Sequence, residues 1–431
     1  MKYAPIDSQL FIQNRKNLAK SLKPGSIAIF HSNDIMPTSA DGTMTFIQQT
    51  DIFYLTGIDQ EESILIMAPD HPDEKFREIL FVRETNEEIA IWEGKKFTKE
   101  EATEISGIEN VIWNSEFYKV LDSLVAHSEF IYLNINEHLR ATKEVQTRND
   151  RFAKWCLKKY PIHRYERLAP IMHELRAIKS EIEIDLIKKA CDITEKGFRR
   201  ILKFIKPGVK EYEIEAELIH EFINNRSRGF AYSPIIASGF SSCVLHYVEN
   251  NKECKDGDIL LLDIGAEYSN YNSDLTRSVP VNGQYSKRQK EVYQAVLNVH
   301  RAAIDMLVPG NVIPEYHKEV GKVMEGELLK LGLINKTDIK NQDPSSPAYK
   351  KYFMHGTSHH LGLDVHDYGN IYRKFEPGMV FTVEPGIYIR EESLGIRIEN
   401  DVVIKENGVE DLMKNIPIEM EEIEEIMNSG S

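Results

Sequence analysis

A chain of 431 residues is long enough for two or three domains with ample cores, and 42% hydrophobic with 28% charged content is ordinary for a globular protein. The balance of 53 basic against 68 acidic residues, a formal −15, argues against nonspecific nucleic-acid binding. Cys156, Cys191, Cys243 and Cys254 form no C-x-x-C pair, so neither a zinc ribbon nor a disulfide framework is indicated. The first residues begin no apolar signal region, and no run approaches eighteen apolar residues, so a reduced, cytoplasmic protein without membrane partners is expected.

The first 170 residues mix helical stretches with short apolar runs at 26–30, 63–67, 79–82 and 130–133, each of strand length and bounded by turn residues. Strands alternating with helices predict an α/β layer. Asp51-Ile52-Phe53-Tyr54-Leu55-Thr56-Gly57 reads best as core packing. A domain connection is expected over 173–180. Ser180 and Glu183 then form a capping box, and Ile182, Leu186, Ala190, Ile193, Ile201 and Ile205 hold helical spacing up to Pro207-Gly208. A second helix is predicted over 211–225, with Glu211, Glu213, Glu215 and Glu217 as a solvated face at its start. Strands are predicted over 233–238 and 243–248, followed by 258–266, an apolar strand broken by Asp263. Ser286 and Gln289 cap another amphipathic helix, and a further one covers about 314–332. Strand-like pieces at 379–383 and 395–398 precede an acidic tail from Glu419 that is expected to fray.

The chemistry gathers in the second half. His355, His359, His360 and His366 fall in one glycine-containing run with little helical periodicity, and four imidazoles there are hard to explain by packing. The spacing is not His-Glu-x-x-His, so other metal ligands must come from elsewhere. Asp263, Asp274, Glu384 and Glu399 each interrupt an apolar strand, which is costly unless a cation compensates. Arg277 and Arg397 could pair with them, but a metal explains more of the pattern. A hairpin turning over 267–270 would set Asp263 opposite Asp274, with Cβ atoms roughly 5 Å apart. Glu384 ends its strand before Pro385-Gly386, and Arg397 and Glu399 share one face of theirs. One imidazole with four carboxylates favours Mn²⁺, with Co²⁺, Fe²⁺ or Zn²⁺ possible. Five ligands suit two ions about 3.5–4 Å apart, bridged by carboxylates and a hydroxide.

These residues, in this order, carry a resemblance. Leu262-Asp263-Ile264-Gly265, Asn272-Ser273-Asp274-Leu275-Thr276-Arg277, His355-Gly356-Thr357-Ser358-His359, Thr382-Val383-Glu384-Pro385-Gly386 and Gly395-Ile396-Arg397-Ile398-Glu399-Asn400 resemble the motifs of the pita-bread metallopeptidases. Leu245-His246-Tyr247 and the stretch from His359 to Asp367 resemble the Xaa-Pro aminopeptidase (aminopeptidase P) group most, with prolidase next. The N-terminal half, through Gln49-Thr50-Asp51 to Gly57, is similar to the creatinase-like domain that precedes the catalytic domain in those enzymes. The resemblance implies an α/β N-terminal creatinase-like domain over 1–174 and an α+β pita-bread catalytic domain over 175–431.

By that resemblance Asp263 and Asp274 bind one divalent ion, His359 and Glu384 bind a second, and Asp274 and Glu399 bridge. Glu384 would take the proton of the bridging hydroxide's water and pass it to the leaving nitrogen. His246, His355 and His366 would hold the substrate carbonyl and oxyanion, and Arg397 would orient ligand carboxylates. The implied substrates are peptides with proline at the second position, cleaved before that proline by a homo-oligomer, dimer or tetramer. An Xaa-Pro bond lacks an amide N–H, so it needs a site built around the free α-amine and the pyrrolidine ring. His360 departs from the family pattern and is expected as pocket wall or an extra proton donor. The rivals are a prolidase restricted to dipeptides, a methionine aminopeptidase, which the long N-terminal domain disfavours, and a metal-free creatinase-like hydrolase or peptide-binding pseudoenzyme.

Overall fold

The computed structural model describes residues 3–142 and 144–429. It divides into two compact units, Tyr3–Arg176 and the chain from Ala177 onward.

The first unit is built on a six-stranded sheet, in the order β4-β3-β2-β1-β5-β6. Its strands are β1 (Ser26–His31), β2 (Ile64–Met67), β3 (Glu78–Val82), β4 (Val111–Trp113), β5 (Phe130–Leu133) and β6 (Arg164–Arg167). The helices are α1 (Gln9–Ser21), α2 (Thr50–Thr56), α3 (Glu87–Glu93), α4 (Lys99–Ser106), α5 (Phe117–Val125), α6 (Arg148–Lys159) and α7 (Ala169–Ala177). β1 pairs antiparallel with β2 and parallel with β5, so the sheet is mixed. The four apolar runs read as strands become β1, β2, β3 and β5, all buried because helices cover the sheet. One face of the sheet packs Ile27, Ile29, Ile66, Phe81 and Ile131 against Phe117, Leu121 and Leu124 of α5 and Phe152 and Cys156 of α6. Asp51, within the motif assigned to packing, is 3% exposed. It accepts hydrogen bonds from Arg176 Nη1 at 2.9 Å and Asn134 Nδ2 at 3.0 Å, which compensates its burial.

The second unit begins with α8 (Glu181–Leu202) and α9 (Glu211–Asn224). The capping box at Ser180 forms as the sequence predicts, although the helix stops three residues short of Ile205. The two helices approach closely at Gly197, where a Cβ would lie 2.6 Å from Phe222 Cε1. Three antiparallel sheets follow. β7 (Ile235–Ser238), β8 (Ile259–Ile264) and β11 (Leu275–Pro280) form one, with the short hairpin β9 (Glu267–Tyr268) and β10 (Tyr271–Asn272) beyond it. Next come α10 (Lys287–Met306), α11 (Ile313–Lys330) and α12 (Lys336–Lys340). A second sheet joins β12 (Val380–Val383), β15 (Asn400–Lys405) and β16 (Gly408–Asp411), and a third pairs β13 (Gly386–Ile389) with β14 (Leu394–Arg397). α13 (Met420–Asn428) ends the described chain. None of the helices among the described residues is long and apolar enough to cross a membrane.

Four local expectations fail for identifiable reasons. Residues 243–248 form no strand; Gly239–Cys243 is a 3₁₀ turn closed by Ser242 Oγ donating to Gly239 O at 2.6 Å. Glu211 is fully buried, because Ser238 N and Oγ, Tyr247 Oη and Lys252 N all donate to it. The acidic tail is helical, with Met420 and Ile423 buried and Glu424 accepting from Tyr285 N at 2.8 Å and Lys290 Nζ at 3.1 Å. The hairpin between Asp263 and Asp274 turns one residue later than predicted, at Ser269 and Asn270, both left-handed. That is the pair of positive φ angles a tight hairpin turn of matching twist requires.

His300 on α10 is 1% exposed, with no hydrogen-bond partner for either ring nitrogen. Burial, followed by the charges of Arg277 and Arg301, pushes it from 6.5 to about 3. The unfolded chain therefore takes up a proton there below pH 6.5 that the folded chain refuses, and stability is lost as pH falls toward 3. His300→Leu should shrink the stability loss between pH 7 and 5 by up to about 2 kcal/mol, read from urea midpoints. Identical pH slopes in the two proteins would contradict this.

Candidate metal centre

The shifted hairpin decides how the two aspartates meet. Asp263 on β8 pairs with Thr276 on β11, which leaves Asp274 opposite Gly265 and diagonal to Asp263 on the same face. Gly265 is required there, since a Cβ would run into the carbonyl oxygen of Ser273. The two carboxylates still converge, with the Tyr232 hydroxyl lying between Asp263 Oδ1 and Asp274 Oδ1. One phenolic proton serves two acceptors. Burial, then the charges of Asp263 and Asp274, hold the Tyr232 phenol well above its usual range.

The histidine run is ordered by β12, alongside which it lies almost as an added strand. Glu384 N donates to Thr357 O at 2.8 Å, Thr382 N to His359 O at 3.0 Å, and Leu361 N to Val380 O at 3.1 Å. This register brings His359 beside Glu384, with Nε2 at 3.8 Å from Glu384 Oε1 and 3.5 Å from Asp274 Oδ2. His359 Nδ1 lies 3.0 Å from the carbonyl oxygen of His360. A carbonyl only accepts, so Nδ1 carries the proton and Nε2 is aimed at the carboxylates, the arrangement typical of metal-ligating histidine.

Glu399 enters from between β14 and β15. Its N–H donates to Thr276 O at 3.1 Å, and Oε2 accepts from Thr276 Oγ1 at 2.6 Å. Donor atoms of Asp274, His359 and Glu399 all lie within 4.8 Å of one another. That spread is close to the roughly 4.2 Å that two donors across one ion at about 2.1 Å occupy. Arg397 meets the same Thr276 Oγ1 at 3.1 Å through Nε, and donates to Asp263 Oδ2 at 2.6 Å through Nη2. The salt-bridge reading thus holds for Asp263. Arg277 instead spends its hydrogen bonds on Pro417 O, Thr276 O, Glu399 O and Asn400 Oδ1.

Burial dominates the electrostatics of Glu399, Asp263 and Glu384. Burial, then Asp274 and Glu384, drive Glu399 well above the carboxylate range, and burial raises Asp263 despite Arg397. Burial lifts Glu384 to about 7, with His359 and Arg397 opposing it. Burial works to lower His359, but the Asp274 hydrogen bond and the Glu384 charge outweigh it and the imidazole is raised. Crowded acids that resist ionising together, around an imidazole nitrogen aimed at them, are a donor set that fits divalent cations.

The remaining predicted residues surround this group. His355 Nδ1 lies 2.8 Å from Gly356 O and 3.7 Å from Glu384 Oε2, while Nε2 is 2.8 Å from Tyr388 Oη. Burial, then Arg397, pushes His355 down to about 3, so the ring is neutral, with the proton on Nδ1 and Tyr388 donating to Nε2. Arg397 Nη1 donates to the same Tyr388 Oη at 2.8 Å. The His366 ring stands edge-on to that of His359, centroids 4.4 Å apart, and His246 is exposed. His360 is buried: its ring packs 4.3 Å from Phe381, with Nδ1 unpartnered, and burial pushes it to about 3. Tyr232, Thr276 and Tyr388 escaped the sequence reading, as did buried Asp401, whose Oδ2 accepts from Asp274 N at 2.9 Å. Only Thr276 lay inside a quoted motif; the others carried no spacing signal.

Comparison with known proteins identifies the family. The family model of metallopeptidase family M24 matches residues 185–406, and that of the aminopeptidase P N-terminal domain matches residues 11–132. The chain is 35% identical to an Xaa-Pro aminopeptidase of Escherichia coli (strain K12), covering 98% of both chains. It is 33% identical to the enzyme of the same name from Haemophilus influenzae, over 99% of this chain and 98% of the relative. Among solved structures, a putative aminopeptidase P from Bacillus anthracis superposes with a TM-score of 0.92 at 35% identity, covering 99% of each chain. A zinc-substituted E. coli aminopeptidase P in complex with product gives 0.89 at 33% identity, covering 99% of this chain and 100% of that one. With the ligand-rich site held between its small sheets and an aminopeptidase P-type N-terminal unit ahead of it, this chain belongs to metallopeptidase family M24.

Proposed function

We propose that the chain is a metal-dependent Xaa-Pro aminopeptidase, removing the first residue of peptides that carry proline second. The observation that carries this reading is the convergence of Asp274, His359 and Glu399, with Asp263 and Glu384 adjoining, in a chain matched end to end by enzymes of that name. Asp263 and Asp274 would hold one divalent cation, His359 and Glu384 the other, with Asp274 and Glu399 shared. Two such cations supply Lewis acidity and lower the pKa of water. The oxygen-rich donors favour Mn²⁺ over Co²⁺, Fe²⁺ or Zn²⁺.

The chain's own residues do the rest. Glu384 accepts a proton at its carboxylate and returns it to the prolyl nitrogen as the bond breaks. His355 has both ring nitrogens engaged, by Gly356 O and Tyr388 Oη, so it holds Tyr388 in place, and holding the substrate carbonyl falls to His246 and His366. Arg397 orients Asp263 and opposes the effect of its burial, and Tyr388 links Arg397 to His355. The four cysteines are free and buried, which suits the reducing cytoplasm we assign it.

A manganese-supplemented assay over Ala-Pro, Ala-Pro-Ala and longer peptides tests the assignment. Cleavage of all of them before proline, abolished by a chelator and restored by Mn²⁺, is expected. Cleavage of the dipeptide alone would make the chain a prolidase, and chelator-insensitive turnover would favour the metal-free readings.

A further inference from the structure

A cavity of about 620 Å³ lies wholly within the unit Tyr3–Arg176, in the size range of small-molecule sites. Part of its lining is aromatic. His31, at the end of β1, packs 4.3 Å from the Phe152 ring, and Phe152 stacks on Trp155 at 5.7 Å with 20° between planes. His31 is 4% exposed, yet neither ring nitrogen has a hydrogen-bond partner. Burial, then the Arg148 charge, pushes it to about 3, leaving a neutral imidazole with one donor and one acceptor unused. An occupant of the cavity would lie against this imidazole and the Phe152 and Trp155 rings.

The charged lining narrows the occupant. Arg148 and Arg151, in the first turn of α6, share one carboxylate, Asp34, at 3.6 and 2.5 Å. They remain one positive charge ahead. Glu62, also lining the cavity, finds its nearest cation in Arg83 at 3.8 Å, and Arg83 lies closer to Glu61 and Glu93. A simple anion would suit the guanidiniums and meet Glu62 unfavourably; a simple cation would do the reverse. A zwitterion satisfies both.

We propose that this cavity binds a free α-amino acid with an aromatic side chain. Its carboxylate lies on Arg148 and Arg151, its ammonium on Glu62, and its ring on the Phe152–Trp155 wall. The inference does not rest on the catalytic reading, since every residue involved belongs to the first unit.

Isothermal titration of the full chain with 4-fluorophenylalanine tests it, with phenylpropionate, phenethylamine and alanine as probes lacking the ammonium, the carboxylate and the ring. Saturable one-to-one binding is expected, with each control at least about tenfold weaker. Arg148→Gln and Glu62→Gln should each weaken 4-fluorophenylalanine about tenfold or more while melting within a few degrees of the parent. Absence of saturable binding at millimolar probe, or equal binding of either singly charged control, would overturn the proposal. So would binding that survives both substitutions, because the amino acid would then be lodged elsewhere.

Discussion

Asp274→Asn should empty the metal centre of both cations and stop turnover while leaving the chain folded. Asp274 is the acid that touches every part of the site: Tyr232 on one side, His359 on the other, and Glu399 within the same donor cluster. An amide presents one neutral oxygen where a carboxylate presents two charged ones, so it cannot serve two ions. Losing metal-assisted water activation removes several kcal/mol of transition-state stabilisation, about a thousandfold or more in rate. The fold has no such dependence, because Asn can still accept from Tyr232 and its N–H still reaches Asp401. With one fewer carboxylate crowded beside Glu399 and Asp263, the metal-free variant should melt no lower than metal-free parent protein. Elemental analysis, thermal melting and a peptide assay check the three parts; two ions retained with normal turnover would remove Asp274 from its bridging place.

Arg277→Met should cost more in stability than any substitution at the site itself. The guanidinium is fully buried and donates to Pro417 O at 2.8 Å, Thr276 O at 2.9 Å, Glu399 O at 2.7 Å and Asn400 Oδ1 at 2.7 Å. Those acceptors tie β11 to the segment that presents Glu399 and to the chain before α13. Methionine fills much of the volume and satisfies none of them. Orphaning several buried acceptors costs about 1–3 kcal/mol each, so a loss of about 4 kcal/mol or more is expected. That is a large share of a typical domain's stability. Glu399 would also lose one of its two backbone anchors, keeping only its N–H bond to Thr276 O, so activity should fall along with the urea midpoint. A loss below about 1 kcal/mol would show that the carbonyls find water instead.

The contrast between Arg277 and the ligands shows what the sequence could convey. Capping boxes at Ser180 and Ser286 are local chemistry, complete within four residues, and both form. The acids were legible because burying a charge needs a reason wherever it occurs, although only Asp263 lies within a strand and Asp274, Glu384 and Glu399 sit at strand ends. Glu211 was misread because its partners at Ser238, Tyr247 and Lys252 lie 27, 36 and 41 residues away. The same distance hid Tyr232 and Tyr388, ordinary tyrosines until folding sets them beside Asp263 and Arg397. The hairpin register turns on one residue: Asn270, a good left-handed turn residue, takes the second central position of the turn and not its last. His360 shows the converse, an imidazole inside a functional run that belongs to the core.

The central claim is that Asp263, Asp274, His359, Glu384 and Glu399 together hold two cations. Anomalous diffraction at the manganese edge, from crystals grown with Mn²⁺, tests it most directly. Two peaks bounded by these five side chains, with Asp274 and Glu399 reaching both, are predicted. A single peak, or side chains turned away from any peak, would contradict the account.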